Sequence, residues 1–586
     1  STAFSGFNAL TLTPALCALF LTPRKESKFF IYRWFNAAWA KAGSLYNRIV
    51  GIMLDHAVAS LAVFIILAGV AFWGFVKWPT SYIPSEDMGY FITSVQLPTG
   101  ASLERTEKIT RSLAAEIEKI PAVKDVMTIS GFSMMGGGAA SNASSVMVML
   151  QPWKERGRDE KVGDIMAEVE RIGEKYQGAV VFAVNPPAIP GLGLSSGLEL
   201  NLLDINSLGP EEMLKAIEVL RQAVEKDSRF ESLTTMYQGV VPQYQLSVDR
   251  DKAKSYGLAL SDIFTTLSGY MGGNYVNDFV EFDRVYQVRL QGDRSARDNI
   301  EDVMRLAVRN SNGEMVPFAS FTSIEPVMGQ ASVNRYNMYE SASVTVTPAK
   351  GVSSSEGIEA MEQLVKDTLG KNYSYAWTGM AYQETQSGTT ISFVFIFAII
   401  MTILVLAAQY ESWTDPVAVI LATPIAILGT VFGCICMNQS ISIYTQIGLI
   451  LLIGMSAKNA ILIVEYAMDF RKAGKPIKTA AHDAGTIRFR PIMMTALAFV
   501  FGVMPMMFST GAGANSRIEL GTAVVFGMAM NALIGTLFVP TFWDLMQRLN
   551  EKYLSGLFKD PAPADTGKNP TPGNGKSPDD ASGESI

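Results

Sequence analysis

At 586 residues, 48% hydrophobic and 18% charged, the chain is too long for one domain and too apolar to be soluble throughout. Its 48 basic and 55 acidic residues give a net charge of −7, with no basic excess of the kind that nucleic-acid binding requires. Cys17, Cys434 and Cys436 lie in apolar stretches, and only His56 and His482 join them as soft ligands. No CxxC pair, HExxH or GxxxxGK[ST] spacing occurs, which excludes a disulfide framework, a zinc site of standard spacing and a P-loop nucleotide hydrolase.

The chain opens on an apolar run over residues 3–22, about the length that crosses a hydrocarbon core of ~30 Å. It has neither the basic front nor the small-residue cleavage site of a signal peptide, so residues 1–23 are expected to be part of a transmembrane helix at which the sequence begins. Residues 24–57 mix aromatic and basic side chains at helical spacing and read as a helix lying in the cytoplasmic interface; the alternative is a soluble packing helix. A second span follows over 58–77.

The polar stretch that comes next reads as strand–helix–strand units. "YFITSVQL" (90–97) alternates as a strand, the following helix puts Leu103, Ile109, Leu113 and Ile117 on one face, and Pro121 ends it. A second unit runs from "VMVML" (146–150) through a helix carrying Ile165, Val169 and Ile172 to "VVFAV" (180–184). "LELNLL" (198–203) then precedes a helix with Met213, Ile217, Leu220 and Val224. Much later "ASVTV" (342–346) precedes one with Ile358, Met361, Leu364 and Val365. Two split βαβ modules result, over 78–192 and over 193–240 with 331–386. Residues 241–330 interrupt the second module as an inserted domain, with a strand at "YQLSV", a short helix expected to start at Ser261 as N-cap, and a hairpin-like "GGNYVNDFVEFDRVYQVRL".

Residues 387–545 hold five more apolar runs, at 389–408, 417–436, 443–467, 491–509 and 520–543. The basic residues cluster in two connections, Arg24 to Arg48 and Arg471 to Arg490. Placing both in the cytoplasm makes all spans alternate consistently and leaves 78–386 in the periplasm. Residues 546–586 are Pro/Gly/Ser/Asp-rich and are expected to form a disordered cytoplasmic tail.

Lys458 stands in the middle of "LLIGMSAKNAILIVEYAMD", where a charge costs roughly 2.5–3.5 kcal/mol on insertion scales. Snorkelling to the interface is the plain alternative, and its distance from the span ends argues against it. Glu465 is the one acid inside the apolar runs, two turns along the same helix. Asp415, Glu519 and Asp544 fall at or beyond their borders, so the partner of Lys458 is expected outside this chain. Thr495 is a second polar residue inside a span; it either bonds back to its own helix or joins a relay with Lys458. In the polar region, "VMTISGFSMMGGGAASNASS" (126–145) reads as a strand entering a Gly-rich loop. Met127, Ile129, Phe132, Met134, Met135 and Met147 would give it a deformable apolar lining, the alternative being a core strand and turn.

"LVLAAQYESWTDPVAVILATP", "GMSAKNAILIVEYA", "RFRPIMMTALAF", "STGAGANSR" and "GGNYVNDF" resemble, in order, stretches of resistance–nodulation–division (RND) efflux transporters of the hydrophobe/amphiphile, acriflavine-resistance type. The resemblance implies an α-helical polytopic membrane domain plus an α+β periplasmic region of ferredoxin-like split βαβ porter subdomains with an inserted docking subdomain. It places this chain as the C-terminal half from the sixth of twelve spans onward. It implies proton-driven export of amphiphilic drugs, dyes and detergents by a homotrimer in the inner-membrane bilayer, with a periplasmic adaptor and an outer-membrane channel. No cofactor beyond the proton gradient is implied. Lys458 and Thr495 match the family's relay lysine and threonine, and Arg488 a basic residue before the eleventh span; the paired relay aspartates belong to the absent fourth span. Phe132 matches a switch-loop phenylalanine, Met127, Met134 and Met147 stand where well-studied members have phenylalanines, and Ile129 where they have valine. Two other readings are a Cu(I) or heavy-metal exporter of the same superfamily, suggested by 29 methionines, and a non-transporting membrane assembly or export partner.

Overall fold

The computed structural model describes residues 2–20, 30–157 and 160–554; Arg24, Lys25, Lys28 and most of the expected tail lie outside these. The chain forms two compact units, one of Ser1–Pro84 with Gln386–Ile586, the other of Ser85–Thr385.

In the first unit every described secondary-structure element other than one isolated bridge is helical. Among the described residues, six helices are long and apolar enough to cross a membrane: Ala57–Lys77, Phe393–Tyr410, Thr414–Met437, Ile443–Lys472, Ile477–Phe508 and Ala514–Lys552. The run expected as a seventh is instead two nine-residue helices, Thr2–Leu10 and Leu12–Phe20, with residues 21 and 22 outside the described range. Pro14 has no N–H for the carbonyl of Leu10, and the helix breaks between them at Thr11, whose hydroxyl turns back to donate to Phe7 O (2.6 Å).

Two helices reach further than hydropathy indicated. The basic connection after Lys472 is open only over Ala473–Pro476, and Lys478 to Arg490 already belong to the Ile477–Val503 helix. That stretch packs along the helix Phe30–Asp55: Lys478 pairs with Asp55, Thr486 donates to Asn47 Oδ1 (3.0 Å), and Phe489 stacks on Tyr46 (4.3 Å). At the end of the unit Pro540 lies inside the helix Thr536–Leu549 and withholds a bond from the Thr536 carbonyl. The Tyr46 hydroxyl donates to that carbonyl instead (3.2 Å), so no backbone acceptor is stranded in an apolar setting.

The three acids placed at span borders are buried in the unit: Asp415 is 4%, Glu519 6% and Asp544 0% exposed. The helices extend past the apolar windows and carry them inward, where donors meet them. Trp543 Nε1 donates to Asp415 (3.1 Å), Ser442 Oγ to Glu519, and Arg548 to Asp544 (3.0 Å). None of them forms an ion pair with Lys458.

The second unit mixes strands and helices. Its first module holds β1 (Tyr90–Gln96), β2 (Val123–Ser133), β3 (Gly138–Leu150) and β4 (Val180–Val184), in the antiparallel order β2-β3-β1-β4. Helices Leu103–Ile117 and Val162–Gly173 cover one face, as their apolar periodicity requires; Ser102 caps the first by accepting from the Arg105 N–H (3.3 Å). Phe91, Val95, Val146 and Val148 of the sheet meet Leu113, Ile117, Ile165 and Val169 of the helices in one core. The expected Gly-rich loop is much shorter than read, because Gly138–Ser145 pair in β3 and only residues 134–137 turn.

The second module starts with β5 (Leu198–Asp204), helix Pro210–Lys226 and β6 (Phe230–Thr235). An insertion follows in which β7 (Val240–Val248) leaves and β12 (Thr322–Gln330) returns as an antiparallel pair. Between them lie β8 (Asn274–Glu281) and β9 (Arg284–Leu290), an exposed hairpin, and the short pair β10 (Ala307–Arg309) and β11 (Met315–Pro317). The insertion has its own core around Ile263, Phe318 and Phe321. Its helix Leu260–Leu267 is capped by Ala259 rather than by Ser261, whose hydroxyl turns to Asp262 (3.2 Å). After β13 (Arg335–Tyr336), β14 (Tyr339–Pro348), helix Ser354–Leu369 and β15 (Tyr373–Trp377) complete the sheet, β6 pairing β14, β14 pairing β5 and β5 pairing β15. The order repeats that of the first module.

Leu200 is fully buried in the core of this second sheet. Leu200→Ala is expected to remove about 2–5 kcal/mol of stability from the module. Hydrogen exchange in peptides covering β5 and β14 measures it, and unchanged protection would contradict this core assignment.

Candidate functional site

In the helical unit the candidate site is one face of the 30-residue helix Ile443–Lys472, with Lys458 at its middle. Ser456, Ala457, Asn459 and Ala460 around it are buried, whereas Lys458 is exposed together with Ile447, Leu451, Gly454, Glu465 and Asp469. Spacings of three, four and seven put these six on one stripe. Lys458 makes no ion pair or hydrogen bond with any described residue. Glu465, seven residues on, is displaced by ~10 Å along the axis at 1.5 Å per residue, too far to neutralise it directly.

The neighbouring helix Ile477–Val503 packs against this one. On it Thr495 is exposed as well, with Ile487, Pro491, Met494, Ala498 and Phe501 on the same outward stripe. Its hydroxyl donates to Ile492 O of its own helix (2.9 Å). Arg488 takes a different direction: its guanidinium lies 3.6 Å from the centre of the Tyr466 ring, a cation–π contact two turns from Lys458. Lys458 and Thr495 are thus both exposed, each on its own helix, and Arg488 is turned into the helix pair.

In the α/β unit the candidate site is a cavity of about 350 Å³ between the two modules. It forms where the sheet faces left bare by the helices approach each other. Phe182 lies opposite Ser94 on the bare face of the first sheet, and Glu199 lies directly opposite Thr345 on the bare face of the second. The tip of the β2–β3 hairpin supplies Ser133, Met135 and Gly136–Gly138; the connection leaving β6 supplies Thr235, Met236 and Tyr237. Serines hold the hairpin tip in shape. Ser145 Oγ donates to Phe132 O (3.1 Å) and accepts from the Met134 N–H (2.9 Å), and Ser133 Oγ accepts from the Gly136 N–H (2.9 Å).

Register decides which of the candidate side chains reach the cavity. Met127 pairs with Met147, and Ile129 with Ser145, so all three candidates stand on the bare face of the first sheet, the face that also carries Phe182. Phe132 and Met134 flank Ser133 at the hairpin tip. None of these five lines the cavity; Ser133 and Met135 do. The lining residues Phe182, Glu199, Met236 and Tyr237 were not singled out from the sequence. They belong to different strands, and no local pattern joins them. Among the described residues no group of three or more His, Cys, Asp or Glu is placed to hold a metal ion.

Glu199 is fixed in this lining. Its Oε1 accepts from the N–H groups of Leu194 (2.8 Å) and Ser195 (2.7 Å). Burial holds the carboxyl above the usual carboxylate range, against the lowering effect of those two bonds. Gly193 (φ 96°) and Gly379 (φ 59°) press against its other oxygen, and a Cβ at either would come within 2.7 and 2.8 Å of Oε2.

Residues 1–547 match the model of the AcrB/AcrD/AcrF family. The chain is 38% identical over 556 residues to the multidrug export protein AcrF of Escherichia coli K12, covering 93% of the chain and 53% of that protein. It is 36% identical over 551 residues to the multidrug/solvent efflux pump membrane transporter MepB of Pseudomonas putida (92% and 52%), and 34% over 562 to the multidrug resistance protein MdtF of E. coli K12 (94% and 54%). The chain therefore spans about half the length of the curated relatives it matches.

Gly193→Ala is expected to strain the loop twice over, through its positive φ and its clash with Glu199, at ~1–3 kcal/mol. Faster proteolytic cleavage between residues 190 and 197 would register it; an unchanged cleavage rate would contradict the conformation described.

Proposed function

Because the chain belongs to the AcrB/AcrD/AcrF family of RND multidrug efflux transporters, we propose that it forms the proton-coupling and drug-handling half of a drug/proton antiporter. The observation that carries the proposal is Lys458: an ammonium in the middle of an apolar helix, on an uncovered stripe, with no counter-ion among the described residues. Such a group needs an anion from elsewhere in the assembled transporter, and an acid supplied there would compete between Lys458 and a proton. When the acid is ionised, the ammonium is drawn to it. When the acid takes a proton, the pair loosens and Lys458 and the stripe that carries it are free to shift. Thr495, on the adjacent helix, exchanges its backbone bond for one within such a relay. Arg488 steadies the two helices through Tyr466.

In this reading the helical unit lies in the bacterial inner membrane, the α/β unit in the periplasm and the C-terminus in the cytoplasm. The two modules act as ferredoxin-like porter subdomains and the insertion with the exposed β8–β9 hairpin as the docking subdomain. The working form is a homotrimer joined to a periplasmic adaptor and an outer-membrane channel, with the proton gradient in place of any cofactor. Amphiphilic drugs, dyes and detergents enter the cavity between the modules, where methionine and small side chains adapt to different shapes. Met127, Ile129 and Met147 extend this apolar surface along the bare sheet face, and Phe132 and Met134 border it at the hairpin tip. Acid-driven movement in the helical unit is coupled to drug handling in the α/β unit.

The test is Lys458→Ala in the intact transporter. Loss of dye efflux and of drug resistance, with normal membrane abundance and trimer assembly, is expected. Wild-type resistance in that variant would refute the coupling role. Parallel growth tests with dyes and with copper separate this function from metal export.

A further inference from the structure

We propose that the interior of the helical unit holds ordered water in one layer, between Thr423, Ser456 and Asn531. The proposal stands apart from the transport reading, because it rests on packing inside this unit alone. Asn531 is 1%, Ser456 0% and Thr423 6% exposed. Asn531 Oδ1, Ser456 Oγ and Thr423 Oγ1 find no hydrogen-bond partner among the described residues. Neither does Nδ2 of the buried Asn459, one turn beyond Ser456.

Close contacts at glycines bring the three residues together. A Cβ at Gly527 would run into Leu452 and come within 2.8 Å of Thr430 Oγ1 and 3.1 Å of Ala426 O. The helices Ile443–Lys472, Ala514–Met530 and Thr423–Met437 therefore touch at that level. Ala523 lies against Gly448 as Gly527 lies against Leu452, so the first two helices run in step, and the next turn brings Asn531 to Ser456. The third helix runs the opposite way. A Cβ at Gly535 would strike Asn531 Oδ1 and lie 3.7 Å from Ala422 O, next to Thr423. Asn531–Gly535 form a π-helical turn, wider than an α-turn, at this same level.

Unmatched hydroxyls and amides are costly in an apolar interior, and buried water, with about three hydrogen bonds apiece, is how proteins meet them. The atoms of the layer select water over an ion. Asn531 Oδ1 accepts, Asn459 Nδ2 donates and the two hydroxyls do either, so the guest must both donate and accept. Asp415 is eight residues from Thr423, and Glu519 and Asp544 are twelve and thirteen from Asn531. At 1.5 Å per residue these acids are ~12 Å or further along the helices, too far to hold a cation in the layer. Lys458, two residues from Ser456, repels one. The water thus lies on the covered side of the helix whose exposed side carries Lys458.

Hydroxyl-radical labelling by X-ray radiolysis tests this on the intact transporter in lipid nanodiscs, with rapid mixing into heavy-oxygen water. Radicals form from whatever water is present, so a side chain beside trapped water is oxidised although bulk solvent does not reach it. Met528, 1% exposed and one turn before Asn531, is the reporter; Met338, exposed on its hairpin, reports bulk water. Oxidation of Met528 is expected, by oxygen that exchanges more slowly than at Met338. Asn531→Leu is expected to abolish it and the milder Thr423→Val to reduce it, with Met338 labelled as in wild type in both. An unlabelled Met528 in the wild type would show a dry layer and overturn the proposal without any variant. Labelling that exchanges as fast as at Met338, or that survives unchanged in the variants, would overturn it too. If Asn531→Leu fails to assemble, Thr423→Val decides by the same readout.

Discussion

A positive charge on an apolar helix is the constraint that organises the helical unit. Lys458 would cost roughly 2.5–3.5 kcal/mol at mid-membrane without a counter-charge. The buried acids of the unit and the carbonyl freed by Pro540 are met locally. Trp543 serves Asp415, Ser442 serves Glu519, Arg548 serves Asp544, and Tyr46 takes up the carbonyl that Pro540 leaves open. Against that background an ammonium with no partner among the described residues stands out. Buried acids with donors of their own belong to structure. Lys458 has no such partner among the described residues.

The α/β unit follows a comparable logic with surface in place of charge. Each module has the same strand order and packs its helices on one sheet face only, which leaves the other faces to meet across a cavity. Because strand side chains alternate, this single choice of covered face assigns Phe182, Glu199 and Thr345 to the cavity and their sequence neighbours to the cores. Glu199 is thereby the point at which an otherwise neutral chamber acquires a sign.

Much of the architecture was legible in the chain. Helices with Leu113 and Ile117, with Met213 and Leu220, or with Ile358 and Met361 on one face could bury those residues only against a sheet, and they do. The insertion was readable because the second module's halves were too far apart to be consecutive. What hydropathy misjudged were the ends. It stopped the spans short of Asp415, Glu519 and Asp544, and it read the helical stretch Lys478–Arg490 as a connection, since it weighs composition and not the hydrogen bonds that carry a helix past its apolar core. The glycines and small residues of 138–145 suggested a loop. Strand pairing with β2 overrode that local preference.

The sequence by itself determined the family, the alternation of apolar spans with βαβ modules, and the presence of one charge in a place that demands a use. These depend on periodicity and composition, which act over a few neighbouring residues. Tertiary structure alone decided which side of each strand faces the cavity, that Arg488 turns to Tyr466 while Lys458 stays bare, and that Glu199 keeps one oxygen free beside two glycines. Those outcomes depend on register and on contacts between residues far apart in the chain, and in the strands a one-residue slip would have turned each side chain to the other face.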